Sequence, residues 1–176
     1  STHKGVTACA ALDAGVVSTS RIINCPAAIK FGNHTIHDVT HGQGAYGPQT
    51  LGGVLAHSSN TGMSQVGNWL GPHRLDSYIR NFGLLSKSGI GLAGEPATSL
   101  PPPDTWSKHF TATVAFGQSV AYTPLRLAVA YAAMANKGLL MRPQIVKQIR
   151  YPATASEPAR VQAFPPVKVR QVIKPE

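Results

Sequence analysis

Small and apolar residues recur at helical spacing in five stretches of the chain, and turn signals fill the gaps between them. Val6, Cys9, Ala10 and Leu12 predict a helix over residues 1–14, alanine-rich enough to be buried on most sides, with Gly15 placed to stop it. Leu51, Val54 and Leu55 predict a second helix over 50–56. Met63, Val66, Trp69 and Leu70 predict a third over 61–70, closed by Gly71-Pro72. A short helix over 73–81 carries Leu75, Tyr78 and Ile79 on one side. A longer one over 125–137, opened by Thr123-Pro124 and closed by Gly138, presents Leu125, Ala128, Val129 and Ala132 as its core face. Strand-like pieces are fewer: 28–31 and 34–39 flank Gly32-Asn33, while 144–150 and 167–173, with a turn at 152–158, predict a long hairpin at the edge of the domain. The proline-rich stretch 95–103 reads as a surface connection.

Composition bounds this picture. The chain has 176 residues, 43% of them hydrophobic, enough for one domain with a real core or a large part of a bigger one. Its best apolar run, 120–135, is interrupted by Arg126 and dominated by alanine, so no membrane span is expected within it. Ser1 is not an initiator methionine and no signal-peptide pattern follows, so the chain is expected to be a piece of something longer. A formal charge of +9 favours anionic partners. Seven of the basic residues (Arg142, Lys147, Arg150, Arg160, Lys168, Arg170, Lys174) are strung along the strand-like end without interleaved aromatics, which argues against nucleic acid. Cys9 and Cys25 leave a disulfide open, two unpaired thiols being the simpler reading.

Two polar signals break the apolar pattern. Ser1-Thr2-His3-Lys4 has the spacing Ser-x-x-Lys, and a helix places residues three apart on one face within a turn, so the Lys4 amine can reach the Ser1 hydroxyl. In a dry site desolvation lowers a lysine pKa, and the neutral amine can take the serine proton while the helix N-terminus favours the developing alkoxide. The plain alternative is a capping serine with a solvated lysine one turn on. The second signal is Ser58-Ser59-Asn60, a Ser-x-Asn knot between two helices that alone reads as a capped loop. Together they point to acyl transfer. His34, His37 and His41 have a spacing that invites a metal, but a strand sends His34 and His37 to opposite faces and only Asp38 stands near to complete a set. Loop histidines are the better reading, and no metal or other cofactor is expected. Lys87-Ser88-Gly89, between Phe82-Gly83 and Ile90-Gly91, reads as a loop.

Taken in order, Ser1-Thr2-His3-Lys4, Asp13-Ala14-Gly15-Val16-Val17, His57-Ser58-Ser59-Asn60-Thr61-Gly62, Ile90-Gly91-Leu92-Ala93-Gly94-Glu95, Phe116-Gly117-Gln118 and Tyr122-Thr123-Pro124-Leu125 resemble the class B penicillin-binding proteins, the peptidoglycan D,D-transpeptidases of division and elongation. The resemblance implies an α/β fold of the serine-transpeptidase, β-lactamase-like kind, represented mostly by its helical part with a few strands and incomplete at both ends. It implies that residues 1–176 run from the acylated serine to just before the family's Lys-Thr/Ser-Gly strand. Ser1 then resembles the nucleophile, Lys4 the residue that activates it, Ser58 the proton shuttle to the leaving amine, and Asn60 the amide that holds the substrate peptide. Phe116-Gly117-Gln118 matches a family signature with no role derivable for Gln118. The implied partners are a peptidoglycan stem peptide and β-lactams, in a membrane-anchored parent acting on the extracytoplasmic face with other cell-wall enzymes. Without the closing strand, the fragment alone is expected to be catalytically impaired.

Three other readings stay open at this stage. An N-terminal serine hydrolase would use the amine of Ser1 as base. A β-lactamase or D,D-carboxypeptidase of the same superfamily would need an acid to activate a deacylating water, and none is evident. A non-catalytic core that binds cell-wall partners is the reading from a different class.

Overall fold

The computed structural model describes residues 2–39, 44–96 and 98–175. Helix α1 (Lys4–Asp13) comes first. The strands β1 (Ile23–Cys25), β2 (Ala28–Phe31), β3 (His34–His37) and β4 (Gly47–Gln49) follow as two antiparallel pairs, β1 with β4 and β2 with β3. Next come α2 (Leu51–Ala56), α3 (Asn60–Leu70) and α4 (Pro72–Asn81), a 3₁₀ turn at Pro103–Thr105, then α5 (Lys108–Ala115) and α6 (Pro124–Ala135). The chain ends in β5 (Leu139–Met141), β6 (Gln148–Tyr151), β7 (Arg160–Ala163) and β8 (Lys168–Gln171).

Helix α1 lies at the centre, in contact with α2, α3, α4 and α6. Its Val6, Ala10 and Ala11 are buried with Met63, Val66 and Leu70 of α3 and with Leu75 and Ile79 of α4. Small side chains let these helices approach closely. A Cβ added to Gly67 would lie 2.2 Å from the Ala115 Cβ, so the crossing of α3 over α5 requires glycine at that point. Thr7 Oγ1 donates 2.7 Å to the Ala115 carbonyl and ties α1 to the same end of α5. Serine and threonine side chains cap the helices that follow: Thr50, Ser59, Ser107 and Thr123 accept from Gly53, Gly62, Phe110 and Arg126 N–H groups respectively.

Three expectations need correction. The core face of α6 is Arg126, Ala130 and Ala133, with Ala128 and Ala132 exposed. The cause is Arg126, which is 1% exposed and satisfied from the loop before it. Its guanidinium donates to Glu95 (3.4 Å), the Leu84 carbonyl (3.3 Å), Thr98 Oγ1 (3.1 Å) and the Pro96 carbonyl. A paired arginine can therefore face inward where an unpaired one could not. The 95–103 stretch is correspondingly more than surface: Glu95 turns in, its carboxyl held below the usual range first by the Ser88 N–H and then by the Ser88 hydroxyl and Arg126, and Leu100 is buried.

The second correction is the pairing at the end of the chain. β6 pairs with β7 in a short hairpin, and β8 pairs with β5, bringing Leu140 and Val172 into the core. The hairpin is thus an excursion between β5 and β8. The third is α5, which the hydrophobic pattern did not announce. Cys25 ends β1, and neither it nor Cys9 is in a disulfide.

Candidate active site

Ser1 lies outside the described residues, as does His41 of the histidine trio. Of the other three residues singled out, Lys4 and Ser58 come together, while Asn60, two positions on, turns its side chain to β3. Lys4 opens α1 and is 3% exposed. Its Nζ donates 2.8 Å to Ser58 Oγ and also to the Ser58 backbone carbonyl. Burial pushes the Lys4 amine below its ordinary pKa, and the Asp38 carboxylate opposes that in part. The amine therefore moves toward the state in which it can accept a proton.

Ser58 offers both oxygens to Lys4 because of its backbone. It sits in the turn between α2 and α3 with φ of 54°, a left-handed conformation that is uncommon outside glycine. Its N–H is paired to the Leu55 carbonyl at 3.0 Å, and the Ser59 N–H to the Val54 carbonyl at 2.9 Å. The capped-loop reading of the knot also holds, on the neighbouring residue: Ser59, not Ser58, is the N-cap of α3.

Asn60 is the first residue of α3, and its side-chain amide donates 3.1 Å to the His37 carbonyl on β3. Directly after that strand comes Asp38, a residue that sequence reasoning weighed only as a metal ligand. One of its oxygens accepts from the Asn60 and Thr61 N–H groups, the latter at 2.9 Å. The other accepts from the Ser59 hydroxyl (2.6 Å) and the Thr61 hydroxyl (2.9 Å). A carboxylate thus closes the positive end of α3 and fixes the whole Ser-x-Asn turn. The separation of 21 to 23 residues hides this in the sequence, where nothing but the scarcity of acidic residues could have drawn attention to it.

His3, between Thr2 and Lys4, is 1% exposed and stacks on Tyr122 with ring centroids 5.6 Å apart. Among the described residues neither of its ring nitrogens has a hydrogen-bond partner. The Phe116-Gly117-Gln118 signature packs against it. Gly117 has φ of +90°, and a Cβ there would lie 2.6 Å from the His3 Cβ. Burial lowers the His3 pKa to about 4. A histidine held neutral in the fold lets the unfolded chain bind the extra proton, so stability falls as pH drops from about 6.5 toward 4 and levels off below. The expected loss is about 3 kcal/mol. Denaturation midpoints measured across this range should show that limb in the parent protein and its flattening in His3→Phe, which keeps the ring on Tyr122.

His34 and His37 are both exposed on β3; His34 stacks on His109 of α5 with centroids 4.1 Å apart. Among the described residues no group of three His, Cys, Asp or Glu side chains is arranged to hold a metal ion. Lys87-Ser88-Gly89 lies in a loop, with the Ser88 N–H and hydroxyl turned onto Glu95. Beside Ser58 runs an apolar groove of about 600 Å³, lined by Thr2, Gly5, Cys9, Leu55, Tyr131 and Met134 as well as Ser58.

The family model of the penicillin-binding protein transpeptidase domain matches residues 1–176. The chain belongs to this family. Within it the chain is of the class B type. It is 36% identical over 148 residues to the penicillin-binding protein PbpB of Mycobacterium tuberculosis, covering 84% of this chain and 21% of that protein. It is 33% identical over 174 residues to the peptidoglycan D,D-transpeptidase FtsI of Escherichia coli, covering 98% of this chain and 28% of that one. A crystal structure of penicillin-binding protein 3 from M. tuberculosis, complexed with aztreonam, superimposes with a TM-score of 0.86 at 32% identity over 99% of this chain and 38% of the other. The transpeptidase chain thus spans well under half the length of these relatives. The mixed α/β transpeptidase fold expected from the motifs is the fold observed, with six helices among the described residues.

Proposed function

We propose that this chain carries the acylating centre of a peptidoglycan D,D-transpeptidase, with Ser1 as nucleophile, Lys4 as base, Ser58 as proton shuttle and Asn60 as a substrate-holding amide. The observation that supports it most is the buried Lys4 amine on the Ser58 hydroxyl at 2.8 Å. A neutral Lys4 takes the Ser1 proton as the serine oxygen bonds to the carbonyl carbon of the penultimate D-alanine. The tetrahedral adduct then collapses, the C–N bond breaks, and the departing D-alanine amine receives a proton from Ser58, which Lys4 replenishes. The amine of a second stem peptide attacks the resulting ester by the same steps in reverse. A β-lactam enters at the first step and, with its leaving group still tethered, remains as the ester.

On this reading residues 1–176 are the part of the domain from the acylated serine to just before the Lys-Thr/Ser-Gly strand, and the parent works on the outer face of the cytoplasmic membrane. Among the described residues no helix is long and apolar enough to cross a membrane. The test is intact mass with peptide mapping after incubation with a penicillin, on the full-length protein that contains this chain. A single adduct on Ser1, absent in Ser1→Ala, is expected. Failure to form an adduct would support the non-catalytic reading instead, and an adduct elsewhere would overturn Ser1 as the nucleophile.

A further inference from the structure

The helix that presents Lys4 is held from an unexpected direction. Tyr131 of α6 donates from its phenol to the Thr2 carbonyl at 2.6 Å, across 129 positions of chain. That carbonyl needs a partner from outside the helix. The Val6 N–H, which in a continuous helix would serve Thr2, donates instead to His3 at 2.9 Å. The Tyr131 ring reaches Thr2 only because residue 5 is glycine: a Cβ there would lie 2.4 Å from the phenol oxygen and 2.9 Å from the carbon that bears it. Tyr131, Thr2, Gly5 and Ser58 all border the groove beside the Ser-x-Asn turn.

We infer that Tyr131 is a positioning residue for acyl transfer: its phenol fixes the Thr2–His3 peptide, between the nucleophile and Lys4 in the chain, and so sets the line of attack of Ser1 relative to Lys4 and Ser58. This rests on the assignment of Ser1 as nucleophile. The physical content is orientation. A nucleophile held within a narrow range of angles reacts faster without binding its substrate more tightly, so the effect belongs in the chemical step. Burial raises the Tyr131 pKa, which keeps the phenol protonated as the donor this bond requires.

The test uses the full-length protein and a penicillin, separating the reversible binding constant from the first-order acylation rate. Tyr131→Phe keeps the ring over Gly5 and deletes the donor. Its acylation rate is expected to fall about tenfold, the scale of one lost hydrogen bond, with binding changed less than about twofold. Gly5→Ala reaches the same bond from the other side. The added methyl displaces the phenol while raising helix propensity, so acylation is expected to slow by a similar factor without a lower thermal midpoint. The double variant should lose no more than either single one, because both remove one interaction. An acylation rate within about twofold of the parent in Tyr131→Phe, or losses that multiply in the double variant, would overturn the proposal. Should Tyr131→Phe fail to fold, Gly5→Ala decides alone on the same criterion. A parent protein that is not labelled on Ser1 would overturn the nucleophile assignment itself, an outcome distinct from a labelled parent with an equally fast variant.

Discussion

Lys4→Ala is expected to slow the acylation of Ser1 by penicillin by about 10³-fold or more, the upper range for losing a positioned general base. Lys4 is the described cation in contact with Ser58, through the side-chain oxygen at 2.8 Å and through the carbonyl. On the proposed roles, its removal would take away the proton acceptor and the group that aligns the shuttle at once. Lys4→Arg should be nearly as damaging although it keeps the charge, since a guanidinium does not give up its proton near neutrality and cannot act as base. In the parent, the acid limb of acylation against pH should lie below the ordinary lysine value of 10.5, because burial disfavours the ammonium. Rapid-mixing acylation rates for the three proteins over a pH series would check this. Rates in Lys4→Arg within about tenfold of the parent would remove Lys4 from the base role.

The second large effect is expected at Asp38. Its carboxylate accepts two backbone N–H groups and two hydroxyls at the head of α3. Asp38→Ala strands these donors and should cost about 3 kcal/mol of stability, with acylation falling as the Ser58 turn loosens. Asp38→Asn retains one acceptor and should be milder. It also isolates an electrostatic role. Asp38 raises the Lys4 pKa against burial, so deleting its charge should move the acid limb of the acylation profile to lower pH. Chemical denaturation reads the first effect and the pH profile the second; an unmoved limb in Asp38→Asn would mean the carboxylate acts on geometry alone.

How much of this was legible in the sequence depends on the range of the interactions. α1, α2, α3, α4 and α6 were readable because their apolar positions and stops are local, such as Met63, Val66 and Leu70 ahead of Gly71-Pro72. α5 was not. Its Phe110-Thr111-Ala112-Thr113-Val114 is rich in β-branched residues, and it is a helix because Gly67 of α3 and Ala115 leave room for close packing. The face of α6 was misread because an arginine counts as polar until Glu95, thirty-one positions away, is placed beside it. β5 was missed because Leu139-Leu140-Met141 is three residues long and its partner β8 lies beyond an intervening hairpin. In the site, short motifs singled out Lys4, Ser58 and Asn60, of which Lys4 and Ser58 are in contact. Asp38, which accepts from the turn at Ser59–Thr61, and Tyr131, which donates to Thr2, act across the fold and belong to no motif; Gly117 was visible only as part of the Phe116-Gly117-Gln118 signature, without its contact with His3.

The left-handed backbone at Ser58 sets stability against activity. Glycine adopts that conformation without the steric cost, on the order of 1–3 kcal/mol, that a side chain incurs there. Ser58→Gly would also delete the hydroxyl on which Lys4 rests. If Ser58 is the proposed shuttle, Ser58→Gly would be expected to keep the fold while losing acylation, so stability and activity make opposite demands on this turn.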